Sequence, residues 1–195
     1  MATVCNAKTN EQLIEQLRKT DAFYHGEAVR KVMLGVDRGD FAPTNPYQDA
    51  PQGIGHNATI SAPHMVGPNG TVVGIDHIDE LVQLSERNIR KKNAELLESG
   101  RIKLVVGDGR KGYEPLAPYD AIHVGAAAPE LPQALVDQLA VGGRMLIPVG
   151  TEKQEYLSIE KQPDGSITKK TLLHVIYVPL TDEEKQRKGR DPMAK

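Results

Sequence analysis

The chain has 195 residues, of which 39% are hydrophobic, with 24 Lys and Arg against 26 Asp and Glu. This is the composition of a globular protein of about one domain, and it excludes a disordered, coiled-coil or collagen-like chain. A single cysteine, Cys5, excludes an intramolecular disulfide and a four-cysteine zinc site. The balanced charge and the absence of Trp argue against nucleic-acid binding. Without an apolar span or a signal-peptide core, we expect a cytosolic monomer with no membrane partner.

The first third of the chain predicts two helices and then a long irregular stretch. Thr9 and Gln12 have the spacing of a capping box, so the first helix is predicted to begin there. A second helix is predicted over residues 27–34 from its apolar spacing. Residues 37–69 are rich in Pro and Gly. An irregular stretch of this length is uncommon within a compact domain and is often functional.

The middle of the chain alternates predicted strands with predicted helices. The strands are expected at residues 71–76, 102–106, 119–124 and 144–149, and the helices at 79–92 and 132–139. This alternation predicts a parallel sheet with helices on its faces.

The last part of the chain predicts a β-hairpin. Two alternating or β-branched runs, residues 156–161 and 171–178, flank the turn sequence Pro163-Asp164-Gly165. Such a hairpin would add an antiparallel edge to the otherwise parallel sheet. The polar tail, residues 182–195, is expected to fray.

Two carboxylates stand where predicted strands end. Asp76 follows the first strand, and Asp108 follows the second between two glycines. Ligands of open parallel sheets bind beyond the carboxyl ends of the strands. Asp76 could accept hydrogen bonds from ribose hydroxyls and Asp108 from an adenine amine, which predicts an adenosine-containing ligand. Each Asp alone is more often a turn former or a helix cap.

The feature that normally accompanies such a site is absent. A nucleotide-binding α/β fold carries a Gly-rich turn in the preceding strand–helix unit. Only about fifteen residues separate Ser61 from Asp76, too few for that unit. This counts against a cofactor-dependent enzyme.

The loop over residues 58–64 combines hydroxyls with a histidine. Ser61 and His64 could form a nucleophilic pair, although no G-x-S-x-G elbow is present. Equally, Thr59 and Ser61 could satisfy backbone groups of the loop.

Four blocks resemble one family. Residues 57–65 (NATISAPHM), 107–112 (GDGRKG), 117–129 (APYDAIHVGAAAP) and 175–181 (VIYVPLT) are similar to the protein-L-isoaspartate (D-aspartate) O-methyltransferases, especially the animal members. The resemblance runs in order along almost the whole chain. It implies an α/β fold of the S-adenosylmethionine-dependent methyltransferase type, which is Rossmann-like, with a mostly parallel sheet and an antiparallel C-terminal hairpin.

The resemblance also implies an activity. The family transfers a methyl group from S-adenosylmethionine to the α-carboxylate of L-isoaspartyl residues in damaged proteins and peptides. The ester closes to a succinimide, which reopens partly to normal aspartate. The attacking carboxylate is already ionised at pH 7, so no general base is needed.

The resemblance assigns roles to individual positions. Ser61 corresponds to the active-site serine beside the substrate carboxylate, and the region of Val178 to the wall that pairs with the substrate backbone. The positions that correspond to the cofactor site are Ala58, Thr59, Ile60, His64, Asp76, His77, Asp108, Gly109, Thr181 and Gln186. No metal is implied.

The chain departs from the family between Met65 and Val66. A helix, a strand with the Gly-rich turn and another helix should lie there, so on the order of 30 residues, including the first βα unit, are missing. We expect one domain, with N-terminal helices and substrate loop (1–65), an α/β core (66–150) and a hairpin with tail (151–195).

Three interpretations follow from the sequence. The chain could be a competent isoaspartyl methyltransferase. It could also be a catalytically inactive splice form, degenerate copy or incomplete chain that acts at most as a binding protein. A general adenosine-nucleotide binder or dehydrogenase is the third interpretation, and the missing Gly-rich turn counts equally against it.

Overall fold

The computed structural model describes residues 7–19, 27–48, 52–56, 58–60 and 71–188. These residues group into two compact units. The first unit is drawn from residues 1–74 and 80–104, and the second from residues 75–79 and 105–188. The sequence expectation of a single domain stays a prediction. None of the helices in the described ranges is long and apolar enough to cross a membrane.

The described segments contain both α-helices and β-strands. The helices are α1 (Asn10–Leu17), α2 (Glu27–Gly35), α3 (Asp79–Arg90), α4 (Ala94–Glu98), α5 (Gln133–Asp137) and α6 (Glu183–Lys188). The strands are β1 (Gln52–Gly55), β2 (Ala58–Ile60), β3 (Val72–Asp76), β4 (Ile102–Val106), β5 (Tyr119–His123), β6 (Leu139–Val149), β7 (Gln154–Lys161) and β8 (Ile167–Val175).

The predicted start of α1 is confirmed. The hydroxyl of Thr9 accepts a hydrogen bond from the backbone N–H of Gln12 at 3.2 Å, which satisfies one of the unpaired donors of the first turn. The apolar face of the helix is buried in the first unit. Asn10 joins α1 to the end of α2, because its side-chain amide donates to the carbonyl oxygens of Met33 and Val36.

The prediction of an irregular stretch over residues 37–69 was wrong in part. Strands β1 and β2 pair antiparallel, with Gln52 opposite Ile60. The turn after β1 uses left-handed backbone at Gly55 (φ 91°) and His56 (φ 50°). The strands are short and contain glycines, so they carry too little alternation to be recognised from sequence. A short 3-10 helix over Arg38–Asp40 also interrupts the stretch.

The predicted strands before and after α3 form a parallel pair. The N–H of Val72 donates to the carbonyl of Arg101 at 2.8 Å, and further along the N–H of Gly107 donates to the carbonyl of Asp76 at 2.9 Å. The two strands therefore run in the same direction. Gly74 lies against the side chain of Leu104, and a Cβ there would lie 2.9 Å from Cδ2 of that leucine.

Strands β5 to β8 form a sheet in that order. β5 pairs parallel with β6, whereas β6 with β7 and β7 with β8 are antiparallel. The predicted C-terminal hairpin is therefore confirmed, although its second strand covers Ile167–Val175 rather than residues 171–178. Its turn is closed by Asp164, whose carboxylate accepts from the N–H and hydroxyl of Ser166. The core of this sheet includes Leu135, Leu139, Met145, Ile147 and Ile159.

The boundary between α5 and β6 differs from the prediction. The helix ends at Asp137 rather than at residue 139, and β6 begins at Leu139. Leu139 is taken into the sheet because it pairs with Tyr119 of β5. Gly143 then lies inside β6, where a Cβ would come within 2.9 Å of the carbonyl oxygens of Ala140 and Tyr119. This tertiary pairing overrides the local helical pattern.

The expectation that the C-terminal tail frays was wrong for residues 183–188. These residues form α6. Asp182 stabilises its start, because its carboxylate accepts the N–H of Lys185 at 2.9 Å. The basic residues of the last turn also suit the helix dipole.

Lys161 closes the C-terminal end of α5. Its ammonium group donates to the carbonyl oxygens of Val136 (3.2 Å), Asp137 (3.1 Å) and Leu139 (3.0 Å). Val136 and Asp137 belong to the last turn of α5, and Leu139 is the first residue of β6. Lys161 therefore fixes the helix-to-strand transition that sequence reasoning missed.

Lys161→Met is expected to lower the free energy of unfolding by about 2 kcal/mol, since it removes charged hydrogen bonds to partly buried carbonyls. Urea unfolding followed by circular dichroism measures this change. Lys170→Met, at an exposed position on β8, is the matched control and should change little. Equal unfolding free energies for the two variants would contradict the assigned role of Lys161.

Candidate functional site

Asp76 forms the turn between β3 and α3. Its Oδ1 accepts the backbone N–H of Ile78 at 2.8 Å, and the side chain of Ile78 is buried. Its carbonyl oxygen accepts the N–H of Gly107, which follows β4. The ends of the two strands are therefore tied together. A carboxylate has about four acceptor positions, so the bond to Ile78 leaves capacity for ligand hydroxyls.

Asp108 lies at the end of the neighbouring strand and is paired with Arg110. The Arg110 Nε lies 2.8 Å from Oδ1, and Nη2 lies 2.8 Å from Oδ2. The backbone N–H of Arg110 also donates to Oδ1. These hydrogen bonds hold the pKa of the Asp108 carboxyl below its usual value, so Asp108 is an acceptor-only carboxylate at neutral pH. An incoming amine must share this carboxylate with the guanidinium.

Helix α6 brings Gln186 to the end of β3. The Gln186 Oε1 lies 2.7 Å from Nε2 of His77, the residue after Asp76. Hydrogen bonding to Asp108 raises the pKa of Arg110, and the negative charge of Asp182, just before α6, acts in the same direction. Through Gln186, the C-terminal segment borders the end of β3 within the second unit.

The loop after β5 anchors the chain that leads to α6. The N–H of Ala127 donates to the carbonyl of Val178 and its carbonyl accepts the N–H of Leu180, both at 2.8 Å. Ala128 makes equivalent bonds to Pro148 and Gly150 at the end of β6. Thr181 directly follows this anchored segment, so the backbone that enters it is held in place by Ala127.

Gln154 anchors the same segment from the other side. Its Oε1 accepts the N–H of Tyr177 at 2.6 Å, and its Nε2 donates to the carbonyl of Tyr177 at 3.1 Å. The ring of Tyr177 stacks on Tyr156, with centroids 6.1 Å apart. Burial raises the pKa of Tyr156 to about 12, so the phenol is neutral under ordinary conditions.

The structure brings six of the predicted site residues into one unit. These are Asp76, His77, Asp108, Gly109, Thr181 and Gln186. Ala58, Thr59 and Ile60 form β2, which belongs to the first unit. Ser61 and His64 lie outside the described residues, so their assignment as substrate and cofactor residues, and the alternative nucleophilic pair, stay predictions.

The residues of the second unit fit the adenosine half of S-adenosylmethionine. Carboxylates at the ends of two adjacent parallel strands are the acceptors that ribose hydroxyls and an adenine amine require. A Cβ atom added at Gly109 would have no other atom within 4 Å, so the backbone beside Asp108 is open to a flat ring. The described residues contain no glycine-rich strand-to-helix turn ahead of β3.

The chain matches one family of known proteins. The model of the family "Protein-L-isoaspartate(D-aspartate) O-methyltransferase" matches residues 8–67 and 64–185. A protein-L-isoaspartate O-methyltransferase of Caenorhabditis elegans is 46% identical over 223 aligned positions, covering 95% of this chain and 98% of the relative. Protein-L-isoaspartate O-methyltransferase 2 of Arabidopsis thaliana is 44% identical, covering 91% of this chain and 69% of the relative.

A solved structure agrees with these relatives. A Plasmodium falciparum protein described as a protein-L-isoaspartate O-methyltransferase, in complex with S-adenosyl-L-homocysteine, superimposes with a TM-score of 0.79. It is 29% identical and covers 90% of this chain and 99% of that chain. The fold is thus that of the S-adenosylmethionine-dependent methyltransferases, a Rossmann-like α/β class. Within that class, the chain belongs to the protein-L-isoaspartate(D-aspartate) O-methyltransferase family.

The comparisons also locate the missing block. The two matches to the family model meet at residues 64–67. The alignment with the Caenorhabditis elegans relative has 223 positions, whereas this chain has 195 residues, so at least 28 positions of the alignment have no counterpart here. Both findings agree with the predicted gap between Met65 and Val66.

Sequence reasoning missed two residues, one that pairs with a predicted site residue and one that anchors the chain segment leading to Thr181. Arg110 pairs with Asp108, and its position two residues later in the G-D-G-R sequence was a usable signal. Gln154 offers no local signal, because a glutamine at the start of a strand is ordinarily exposed. Only the folded structure shows that its side chain is buried and hydrogen-bonded to the backbone of Tyr177.

Proposed function

We propose that this chain transfers a methyl group from S-adenosylmethionine to the α-carboxylate of L-isoaspartyl residues in damaged proteins and peptides. Membership of the isoaspartyl methyltransferase family supports this. The structural observation that carries the proposal is the pair of carboxylates, Asp76 and Asp108, at the ends of two strands tied by the Gly107–Asp76 hydrogen bond.

Each residue of the pair has a separate task. Asp76 would accept hydrogen bonds from the ribose hydroxyls, while its bond to Ile78 fixes the carboxylate in place. Asp108 would accept a hydrogen bond from the adenine amine, once Arg110 gives up one of its hydrogen bonds to the Asp108 carboxylate. His77 is held by Gln186 beside Asp76 and so links the C-terminal segment to the cofactor side.

The reaction requires that the methyl donor and the substrate carboxylate be positioned, and it requires no proton transfer. S-adenosylmethionine supplies a methyl group on a positively charged sulfur. The α-carboxylate of the substrate is ionised at neutral pH, because such groups titrate at a pKa of roughly 3.5. No protein base is therefore needed, and the chain contributes alignment and exclusion of water. By resemblance, Ser61 lies beside the substrate carboxylate, and Ala58, Thr59, Ile60 and His64 border the cofactor.

The alternatives from the sequence receive no support. The relatives described above all carry methyltransferase names, and nothing in the comparisons favours a non-catalytic copy. Membership of this family also argues against the third interpretation, a general adenosine-nucleotide binder or dehydrogenase. We also propose a cytosolic monomer that acts on isoaspartyl proteins without nucleic-acid or membrane partners. The balanced charge of the sequence supports the absence of a nucleic-acid partner.

A methyl-transfer assay tests the proposal. With labelled S-adenosylmethionine, the purified chain is expected to methylate a peptide containing L-isoaspartate and not the same peptide containing L-aspartate. The discrimination follows because the isoaspartyl linkage leaves a free α-carboxylate within the chain. Equal labelling of the two peptides, or labelling of neither, would overturn the proposed function.

A further inference from the structure

We infer that Arg110 is a positioning residue for the adenine end of the cofactor, because its guanidinium fixes the Asp108 carboxylate and leaves Oδ2 as the oxygen that accepts the adenine amine. The inference rests on the proposed function, in which Asp108 accepts that amine, and adds a residue that acts through Asp108. The side chain of Arg110 is 41% exposed and that of Asp108 is 23% exposed. A ligand can therefore reach the pair from solvent.

The N–H groups of Arg110 occupy the two carboxylate oxygens of Asp108 unequally. The backbone N–H and Nε–H donate to Oδ1 at 3.0 and 2.8 Å, and Nη2–H donates to Oδ2 at 2.8 Å. Nε also lies 3.1 Å from Oδ2, but its single hydrogen is already engaged at the shorter distance. Each carboxylate oxygen has about two acceptor positions. Oδ1 is therefore filled, and Oδ2 gains a position for the amine when the longer Nε contact is given up.

The loop that carries Arg110 is held by the protein itself. Arg110 lies in the short 3-10 helix after β4, whose start is capped by Asp108. Beyond this turn, the side-chain amide of Gln138 donates to the carbonyl of Lys111 and accepts the N–H of Tyr113, both at 2.8 Å. Asp108 is thus fixed through its backbone by β4 and the loop, and through its carboxylate by Arg110. A group that is ordered before binding loses little further freedom when the ligand arrives.

The surrounding charges keep both partners ionised. Hydrogen bonds from Arg110 are the main reason that the pKa of Asp108 lies below its usual value, and the charge of Lys111 adds to this effect. The pKa of Arg110 is raised mainly by its hydrogen bonds to Asp108, and the charge of Asp182 adds to that. Asp108 is therefore an acceptor without a proton of its own. Such an acceptor suits an amino group on a purine ring and not a keto group at the same place.

The fork of the guanidinium, and not its charge alone, is the feature that positions the carboxylate. Lysine carries the same charge, but its ammonium group cannot bind both carboxylate oxygens in one plane. Exposed ion pairs contribute little to the free energy of unfolding. We therefore expect Arg110 to affect ligand binding much more than stability.

The test compares two ligands by calorimetric titration of the full chain. One is S-adenosylhomocysteine, and the other is the same molecule with hydrogen in place of the 6-amino group of the base. The unaltered chain is expected to prefer S-adenosylhomocysteine. Arg110→Met should weaken binding of S-adenosylhomocysteine about tenfold and leave the affinity for the ligand without the amine within about twofold. Arg110→Lys should resemble Arg110→Met, because it keeps the charge without the fork.

Two further variants show whether the effect is specific to the amine. Asp76→Ala should weaken both ligands alike, because both contain the ribose. Arg144→Met removes another exposed arginine–carboxylate pair, with Glu160, and should leave both affinities unchanged. In urea unfolding, Arg110→Met and Arg144→Met should have similar free energies of unfolding.

The pattern of affinities decides the inference. Equal weakening of the two ligands in Arg110→Met would show a structural role and overturn it, as would unchanged S-adenosylhomocysteine affinity in Arg110→Met or in Arg110→Lys. An unaltered chain that binds the two ligands equally, or binds neither, would also overturn it, since Asp108 would then not accept the amine. Because binding is measured without turnover, a chain that shows the expected pattern but methylates no isoaspartyl peptide would refute the proposed function alone.

Discussion

Asp76→Ala is expected to weaken the binding of S-adenosylhomocysteine about a hundredfold, which corresponds to about 3 kcal/mol. A carboxylate that accepts from two ribose hydroxyls makes charge-assisted bonds, and each contributes roughly 1.5–3 kcal/mol. Calorimetric titration of the purified chain measures the affinity directly. We therefore expect Asp76, at the end of β3, to contribute more to S-adenosylhomocysteine affinity than any other single residue.

Asp76 also fixes the turn into α3, and a second variant separates that role from cofactor binding. Asp76→Asn keeps an oxygen to accept the N–H of Ile78 but removes the charge. The S-adenosylhomocysteine affinity of Asp76→Asn should lie between those of Asp76→Ala and the unaltered chain. Its thermal stability should equal that of the unaltered chain. Asp164→Ala, which removes a turn carboxylate from the β7–β8 hairpin, is the control and should bind normally. Affinity within about twofold of the unaltered chain for Asp76→Ala would refute the ribose assignment.

The ends of β3 and β4 could be predicted from the sequence, because the signal for these two strands is local. The apolar run before Asp76 and the run before Gly107 each fill one strand, and both end where expected. The hairpin turn at Asp164 was equally predictable from its residues. Since ligands of such sheets bind at the strand ends, correct strand ends were enough to predict two cofactor positions.

The features that could not be predicted depend on contacts distant in sequence. Leu139 reads as the end of a helix, yet pairing with Tyr119 places it in β6. Gln154 reads as an ordinary polar residue at the start of a strand, and its function depends on a partner more than twenty residues away. Periodicity describes the faces of one element and contains no information on which backbone group a side chain will reach.

β3 and β5 belong to separate sheets, and each lies at the edge of its sheet. In the part of the chain that the structure describes, β3 pairs with β4 and β5 pairs with β6. No residue of β3 or β5 is fully buried, and Val72 is 39% exposed. Parallel strands are normally buried on both faces in α/β proteins. By resemblance, the absent strand lies between the strand that ends at Asp76 and the later strands.

Insertion of the corresponding block of the Caenorhabditis elegans relative at residues 64–67 is therefore expected to have the largest effect of all. The added strand should bury apolar surface of β3 and β5 and raise the free energy of unfolding by several kcal/mol, at about 1.5–3 kcal/mol for each side chain that becomes buried. Its Gly-rich turn adds backbone N–H donors at a helix N-terminus. We expect S-adenosylhomocysteine affinity to rise by about a hundredfold or more.

A second insertion distinguishes the two contributions of the block. When the glycines of the inserted turn are changed to alanine, strand pairing can form but a ligand cannot approach the backbone closely. This version should gain stability in urea unfolding and gain little affinity in calorimetry. Equal affinity of the two insertions would show that the block acts only through the sheet. An unaltered chain that already matches the full insertion in both measurements would show that the block is needed neither for stability nor for cofactor binding.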